Sequence, residues 1–403
     1  MTRTAWQPAW TRSSEGDRRR VARNGDTDDW HTPALALHQR LVAHADARGA
    51  LACAADTLER LYREFGVPPA MDGWIDAFDG HLAHAADAFD DLDLDPFLFR
   101  AGLAVLGRRP THPALPLWHA RALAFIRTHR DRVDDVTRAA NFAFEYAVRA
   151  GNFPQAREIV LHARRHGAAA SPELRCAWLE AEALEAWLSG EPARARRAVA
   201  ESLANGGGYA AFEQGASASL AEGDLAAADA YLDGMTRTLD TRRAQDVAHC
   251  HFLAAARARL GHDNRAARER VDACLAVDAA AVPAYFTTLW QLGGAHLDVA
   301  SGRHRGARRA LGVVLGRTVS HYWGFLQFST LMSRAWLGIR EARRAEALAD
   351  LGAALALAAA GGYRNCDPWW DPEAIHDIAR FARGTPHDGA TLEALAEREA
   401  GRA

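Results

Sequence analysis

The sequence predicts an all-α fold, a tetratricopeptide-like α-solenoid of antiparallel helix pairs, and three observations lead to it. From His31 onward, segments of 12 to 20 residues carry apolar residues at spacings of three and four, and short breaks rich in Gly, Pro or Asp separate them. No segment alternates apolar and polar residues as a strand does. In the second half, six glycines recur at spacings of 39, 33, 38, 41 and 36 residues, which is the period of a helix-turn-helix repeat.

The six glycines mark predicted turns between the two helices of each pair, because glycine tolerates the left-handed backbone that ends a helix. Five residues after each of the first five stands an alanine, whose small side chain lets two helices cross closely; the sixth has Arg343 there. The positions seven and three residues before the glycines are all apolar and share one helix face, so we expect that face to be the buried seam of the stack. The glycines are Gly151, Gly190, Gly223, Gly261, Gly302 and Gly338.

The domain boundaries follow from the same patterns. Residues 1–31 mix Arg, Asp, Gly and Ser without apolar periodicity, which predicts a disordered leader. We expect residues 32–383 to form one continuous solenoid, since 403 residues exceed one compact core but suit a growing array. Its regular repeats span about 131–360, and Gly49 followed by Ala54 repeats the turn pattern upstream. Residues 384–403 are predicted to be a C-terminal tail or short helix.

A Trp-rich segment at 361–383 is predicted to cap the array. It begins GGYRNCDPWWDPEAI, in which Gly361 and Gly362 stop one helix and Asp371-Pro372 starts the next. The extended Asp-Pro segment between them leaves Trp369 and Trp370 to pack over the apolar end of the stack. A metal site built from Cys366, Asp371 and His376 is the alternative, and packing is favoured over it.

Composition excludes several classes of function. The net charge is -3 with 48 basic and 51 acidic side chains, so no concentrated positive surface for direct nucleic-acid binding is expected. All 48 basic residues are arginine, which removes the lysine of phosphate loops and of pyridoxal enzymes. The sequence shows no signal peptide and no membrane span, which predicts a cytoplasmic protein without membrane partners. The five scattered cysteines and the lack of catalytic motifs predict no metal, no cofactor and no enzyme activity.

The candidate groove lies on the first helix of each pair. Positions eleven and four before the glycines share a face, and both columns turn polar in the last three repeats. We expect this face to bind a ligand, with nearby aromatic residues as anchors; the alternative is an ordinary wet surface with tryptophans in the core. The polar candidates are Arg257, Gln291, Asp298, Gln327 and Arg334, and the aromatic or imidazole candidates are Tyr285, Trp290, His321 and Trp323.

Two stretches resemble the helical-repeat region of MalT-like ATP-dependent bacterial transcriptional regulators, which belong to the signal-transduction ATPases. They are VDDVTRAANFAFEYAVRAGNFPQAREIVLHAR and GGYRNCDPWWDPEAIHDIARFA, and the resemblance covers about residues 85–383. It implies repeats that sense an inducer or hold an inhibitory partner. The chain departs from the family because it shows neither the phosphate loop nor a helix-turn-helix DNA-binding domain, so we expect it neither to hydrolyse ATP nor to read DNA.

The sequence therefore predicts a non-catalytic helical-repeat protein that binds a protein segment or a small effector in its concave groove, as a scaffold or sensory arm in bacterial regulation. An α-solenoid enzyme with an unrecognised acid-base site in the groove is the alternative. A degenerate fragment of a larger regulator is a third reading, which predicts exposed apolar repeat ends.

Overall fold

The computed structural model describes residues 31–85, 91–363, 372–389 and 392–393. Across these ranges the regular structure is helical, with eighteen α-helices, one short 3-10 helix at Ala279–Ala281 and no strand. The all-α solenoid is confirmed. The helices are α1 (His31–Ala43), α2 (Ala47–Phe65), α3 (Met71–Ala85), α4 (Asp91–Arg108), α5 (Leu115–Thr128), α6 (Val133–Ala150), α7 (Phe153–Gly167), α8 (Pro172–Leu188), α9 (Pro192–Ala204), α10 (Tyr209–Glu222), α11 (Leu225–Thr238), α12 (Ala244–Leu260), α13 (Asn264–Leu275), α14 (Ala284–Ala300), α15 (His304–Ser320), α16 (Gly324–Arg340), α17 (Arg344–Gly361) and α18 (Pro372–Ala382).

Six antiparallel pairs, α6/α7 to α16/α17, form the regular array, and each first helix also packs on the first helix of the next pair. The seam predicted from the sequence is buried as expected. Of its twelve positions, all but Ala254 are less than a tenth exposed, from Phe144 in the first pair to Ala335 in the last. Burial of these seam residues between neighbouring helices supplies the main stabilisation of a stack that has no central core.

The turns follow the glycine pattern in four of the six pairs. Gly151, Gly190, Gly223 and Gly302 have φ between 74° and 82°, the left-handed region that favours glycine. In the other two pairs the left-handed residue is His262, after α12, and Ala342, after α16. Gly261 precedes His262 directly, and Gly338 lies inside α16, where a β-carbon would press on Ala347 at 3.0 Å. The last pair thus uses its glycine for close helix packing rather than for the turn.

The array closes on itself. The C-terminal end of α6 packs against the N-terminal end of α16, so the first and last pairs touch. Phe153 lies 5.2 Å from Phe325 and 4.9 Å from Tyr363 between ring centroids, which makes an aromatic cluster at the junction. A β-carbon on Gly151 would overlap the Tyr363 hydroxyl and lie 2.8 Å from the Phe325 nitrogen, so the junction requires a glycine there.

The N-terminal helices dock onto the same ring. Helix α2 packs on α3 and α4, and α4 packs on α6. Arg108 at the end of α4 donates to the Ala280 carbonyl at 2.7 Å, and Arg243 at the start of α12 donates to the carbonyls of Tyr62 and Arg63. These contacts join residues more than 170 positions apart, so the N-terminal helices pack directly on the middle repeats.

Helix α18 packs on α16, where Trp336 Nε1 donates to Asp377 Oδ2 at 3.1 Å. Helix α17 ends at Gly361, and Gly362 has a φ of 71° as the predicted stop requires. The leader 1–30 and the tryptophans of the predicted cap, Trp369 and Trp370, lie outside the described residues, as do Cys366 and Asp371. In the part of the chain that is described, no helix combines the length and apolarity needed to cross a bilayer.

Candidate functional site

A cavity of about 130 Å³ lies inside the ring, and the first helix of all six pairs contributes to its wall. The wall is mainly apolar and aromatic, and its polar groups are few. Apolar lining residues include Leu184, Trp187, Phe252, Tyr285, Phe286 and Phe325; the polar ones are Glu145, Arg149, Glu213, Gln214, Ser217 and His249. A concave apolar site with a few convergent polar groups is the usual form of a ligand pocket.

The lining residues occupy a recurring face of the first helices. Glu145 and Ser217 stand six residues before their glycines, Phe252 stands nine before, and Leu289 and Phe325 stand thirteen before. At 3.6 residues per turn, positions six, nine and thirteen before the glycine lie on the same face of the helix. Helices turn this face to the ring interior because the neighbouring seam face is buried between them.

Glu213 is the most perturbed carboxyl in the cavity. Burial, helped by the nearby carboxyls of Asp246 and Glu180, raises its pKa from 4.5 to about 8 against the lowering effect of Arg243. Its side chain is 17% exposed, and that exposure is to the cavity it lines. Glu213 is therefore mostly protonated and neutral at pH 7.

His249 faces Glu213 from α12, with Nε2 3.5 Å from Oε1. Burial lowers the His249 pKa to about 3, so the imidazole is neutral at pH 7. Trp290 Nε1 donates to His249 Nδ1 at 3.2 Å, which assigns the remaining ring proton to Nε2. The contact is thus one between two neutral groups and not an ion pair.

Two arginines at the cavity are each engaged by other groups. Arg149 lies 3.4 Å from Glu145, donates to the Leu106 carbonyl at 3.3 Å and stands over the Tyr285 ring at 5.5 Å. Arg243 Nε donates to Asp246 Oδ2 at 2.6 Å. The ion pairs neutralise Glu145 and Asp246, and the bonds that the two arginines donate to backbone carbonyls of α4 and α2 tie those helices to the ring.

The structure places the five polar candidates away from this cavity, on the face toward the second helices. Arg257 donates two hydrogen bonds of 2.7 Å to Asp229 in α11. Asp298 accepts from Arg268 of α13 and from Arg303 at 2.8 Å, and Gln291 accepts from Arg317 of α15 at 2.8 Å. Arg334 Nε lies 3.3 Å from Asp350 of α17, and Gln327 is half-buried on α16 and does not line the cavity.

The physical reason is rotation about the helix axis. At about 100° per residue, positions four and eleven before the glycine lie roughly half a turn from positions six and thirteen before it. The polar columns therefore meet the second-helix layer, where their charges pair with partners on those helices. Their role in ligand binding stays a prediction.

The aromatic candidates lie closer to the cavity. Tyr285 lines it, and Trp323 packs behind with its ring 5.4 Å from Tyr285. His321 stacks on Trp323 at 4.5 Å, and buried Trp290 holds His249 in place. The structure thus brings Tyr285, Trp323 and His321 into one cluster at the rim.

The sequence reasoning missed Glu145, Arg149, Glu213 and His249. A signal was available at His249, which stands twelve residues before its glycine, where the other five repeats carry Ala, Trp or Leu. The two polar columns, four and eleven residues before the glycines, drew attention to another face of the helices. Among the described residues, no group of three or more His, Cys, Asp or Glu side chains is arranged to hold a metal ion.

Comparison with known proteins bears on the fold. A solved structure of a Rap protein complexed with competence and sporulation factor superposes with a TM-score of 0.60, and the match covers 88% of this chain and 98% of that one at 11% identity. The chain has a tetratricopeptide-like helical-repeat fold. At this identity the likeness shows the fold alone.

A circular tandem repeat protein with a novel repeat topology also aligns, at 12% identity over 98% of this chain and 92% of that one, but its TM-score of 0.14 carries no argument. No family model and no curated protein matches the sequence. The resemblance to MalT-like regulators therefore gains no support from these comparisons and stays a hypothesis.

Proposed function

We propose that the protein binds a segment of a partner protein, without catalysis, by taking one anchoring side chain of that segment into the ring cavity. The observation that carries the proposal is that aromatic and aliphatic side chains from five of the six first helices line this cavity, while the remaining helix, α10, lines it with Glu213, Gln214 and Ser217. Buried apolar pockets filled by one side chain supply much of the affinity in protein recognition.

The size of the cavity supports a single anchor. At about 130 Å³ it is close to the engineered protein cavity of about 150 Å³ that holds one benzene molecule. A whole peptide exceeds this volume, so the rest of the segment would run along the rim near Tyr285. The Rap protein of similar fold is known in complex with competence and sporulation factor, which supports a ligand-binding use of such a ring. A sensory or scaffolding role in bacterial regulation would follow from such binding.

The test is a selection of displayed random peptides against the full chain, followed by affinity measurement on three proteins. The wild type is compared with Ser217→Phe, which fills the cavity from a lining position, and with Arg257→Ala plus Arg334→Ala on the opposite face. We expect Ser217→Phe to weaken binding by on the order of tenfold or more and the double variant to bind as the wild type does.

The reverse pattern would place the binding site on the polar face predicted from the sequence. Binding unaffected by either change would exclude both faces. Circular dichroism of the variants is the control, because a phenylalanine that disturbs the stack would lower helicity and confuse the comparison.

An acid-base enzyme is the second candidate, and the raised pKa of Glu213 beside His249 is the observation that favours it. The proton positions weaken this candidate. Glu213 is mostly protonated at pH 7, and His249 Nε2 carries a proton because Nδ1 accepts from Trp290. Neither group is a free base at that pH. An enzyme would lose turnover by orders of magnitude in Glu213→Gln, whereas a binder would show a graded change in affinity.

A further inference from the structure

The charges around the cavity are unevenly paired. Four carboxyl side chains, Glu145, Glu180, Glu213 and Asp246, interact near it, and two guanidinium groups face them. The guanidinium of Arg149 lies against Glu145, and that of Arg243 lies against Asp246. Within the described residues, Glu213 and Glu180 form no ion pair with an arginine.

Each helix around Glu213 presents a titratable or charged group to it. Glu145 faces it from α6, Glu180 from α8, and Asp246 and His249 from α12, with Arg243 at the start of α12. On its own helix, Tyr209 lies nearby and donates to the Asp246 carbonyl at 2.6 Å. The carboxyls outnumber the guanidinium groups, so the surroundings disfavour a second negative charge and favour a positive one.

We propose that the cavity takes a cationic group on an apolar stem, a guanidinium or a protonated amine, which pairs with the Glu213 carboxylate in exchange for the proton that Glu213 otherwise holds. This rests on the proposed function and specifies the anchoring side chain as a basic one. When the cationic group is bound, Glu213 is ionised, and the proton that it released has gone to solvent.

The wall of the cavity suits such a stem. Phe252, Tyr285 and Phe286 line it together with Glu213, so methylene groups pack on rings while the charged end reaches the carboxyl. A cation that stands near an aromatic face gains further attraction when water is excluded. Arg149, which also lines the cavity, already stands over the Tyr285 ring in this way.

The exchange couples binding to pH. The free cavity holds Glu213 with a pKa of about 8, and the bound cation requires its carboxylate. Between the ordinary pKa and about 8, affinity should rise with pH by up to about tenfold per unit, because one proton leaves for each ligand bound. Above that range the dependence should level off.

The test uses the full chain and four probes. They are a capped pentapeptide with a central arginine among alanines, the same peptide with the neutral isostere citrulline, and agmatine with its uncharged butylurea analogue. Ligand-observed NMR detects weak binding, and calorimetry in two buffers of different ionisation enthalpy counts the protons released. We expect each cationic probe to bind at least about tenfold more tightly than its neutral partner, with close to one proton released at pH 7.

Glu213→Gln keeps the size of the side chain and removes its titration. In this variant the preference for the cation should fall by about tenfold or more, and the proton release should disappear. Asp233→Asn, an exposed carboxyl on α11, is the matched control and should behave as the wild type. If Glu213 had only a structural role, Glu213→Gln would weaken the binding of charged and neutral probes to the same extent.

The two sources of the cation give different patterns. Tighter binding of the arginine peptide identifies a protein segment, and binding of agmatine alone identifies a small effector; both support the cation site. Equal binding of the arginine and citrulline peptides, or an unchanged preference in Glu213→Gln, overturns it. If neutral peptides bind and Ser217→Phe removes them, the cation site fails while the proposed function stands. If no cationic probe binds, the inference is rejected.

Discussion

At the scale of single residues, Glu213 makes the stability of the protein depend on pH. The unfolded chain releases this proton near the ordinary pKa of 4.5, whereas burial beside Asp246 and Glu180 raises the folded-state pKa to about 8. Between these values the folded state holds more protons than the unfolded state, so stability falls as the pH rises. The stabilisation by the retained proton is complete below pH 4.5 and is lost as the pH rises through about 8.

Glu213→Gln removes that dependence. Relative to the wild type, the variant should gain stability between about pH 5 and pH 8 by an amount on the order of a few kcal/mol at most, and the difference should level off above that range. Urea unfolding at a series of pH values measures it. Carboxyls that do not interact with Glu213, such as Asp350, titrate in both proteins and cancel in the difference. Parallel pH curves for wild type and variant would show that the folded Glu213 ionises normally.

At the scale of helices, side-chain caps set where the second helix of several pairs begins. Asp224 Oδ1 accepts from the Ala227 nitrogen at 3.0 Å, and Asp263 Oδ1 accepts from the Ala266 nitrogen at 2.9 Å. Asn152 caps α7 in the same way through Gln155. These caps directly follow the glycine turn or stand one residue further on, so each turn ends one helix and starts the next within a few residues.

Asp224→Ala should destabilise the protein by about 0.5–2 kcal/mol, because the Ala227 nitrogen at the start of α11 loses its acceptor. Asp224→Asn keeps an accepting oxygen at the same position and should cost much less. Denaturant midpoints of the two variants give the comparison. Equal losses in both would mean that the charge of Asp224, rather than its hydrogen bond, stabilises the helix.

The sequence predicts the helices and the seam well, because those depend on local periodicity and on glycine turns. Phe144 and Val148, or Ala216 and Leu220, are four apart and buried as predicted. The ligand-binding face is harder to predict. Arg257 and Arg334 form ion pairs with Asp229 and Asp350 on second helices. In the sequence, a column of polar residues that pair in this way looks the same as a column that lines a solvent-filled groove, because the positions of the partners are not known.

At the scale of the whole molecule, the closed ring is the property that sequence reasoning did not reach. Closure depends on small rotations between successive pairs that add up over the array, and no single turn encodes it. Glu145 from the first pair and Phe325 from the last meet at one cavity for this reason. The pocket is therefore a product of closure, and opening the ring should remove it.

The N-terminal helices hold the ring from outside through backbone acceptors. Arg108 donates to Ala280 and also pairs with Asp72 through two bonds of 2.6 and 3.1 Å. Arg108→Leu should speed amide hydrogen exchange in α2–α4 by about fivefold to thirtyfold, since loss of roughly 1–2 kcal/mol favours local opening. Arg127→Leu, which removes the exposed pair with Glu158, is the control and should leave exchange there unchanged. Unchanged exchange in both variants would mean that apolar packing alone fixes the docking.

Ring closure itself can be tested at Gly151. Gly151→Ala forces a β-carbon into the Tyr363 hydroxyl and the start of α16, in addition to straining a backbone with φ of 77°. Gly302→Ala carries the same strain at φ 74°, but nothing lies within 4 Å of the added carbon. Both should lose about 1–2 kcal/mol from strain, and Gly151→Ala should lose a further ~1–3 kcal/mol from the clash. Urea unfolding gives the difference, and hydrogen exchange at the first turn of α16 should rise in Gly151→Ala alone. If the two variants lose equal stability and exchange alike, the first and last pairs do not press on each other in solution, and the cavity would be an open groove.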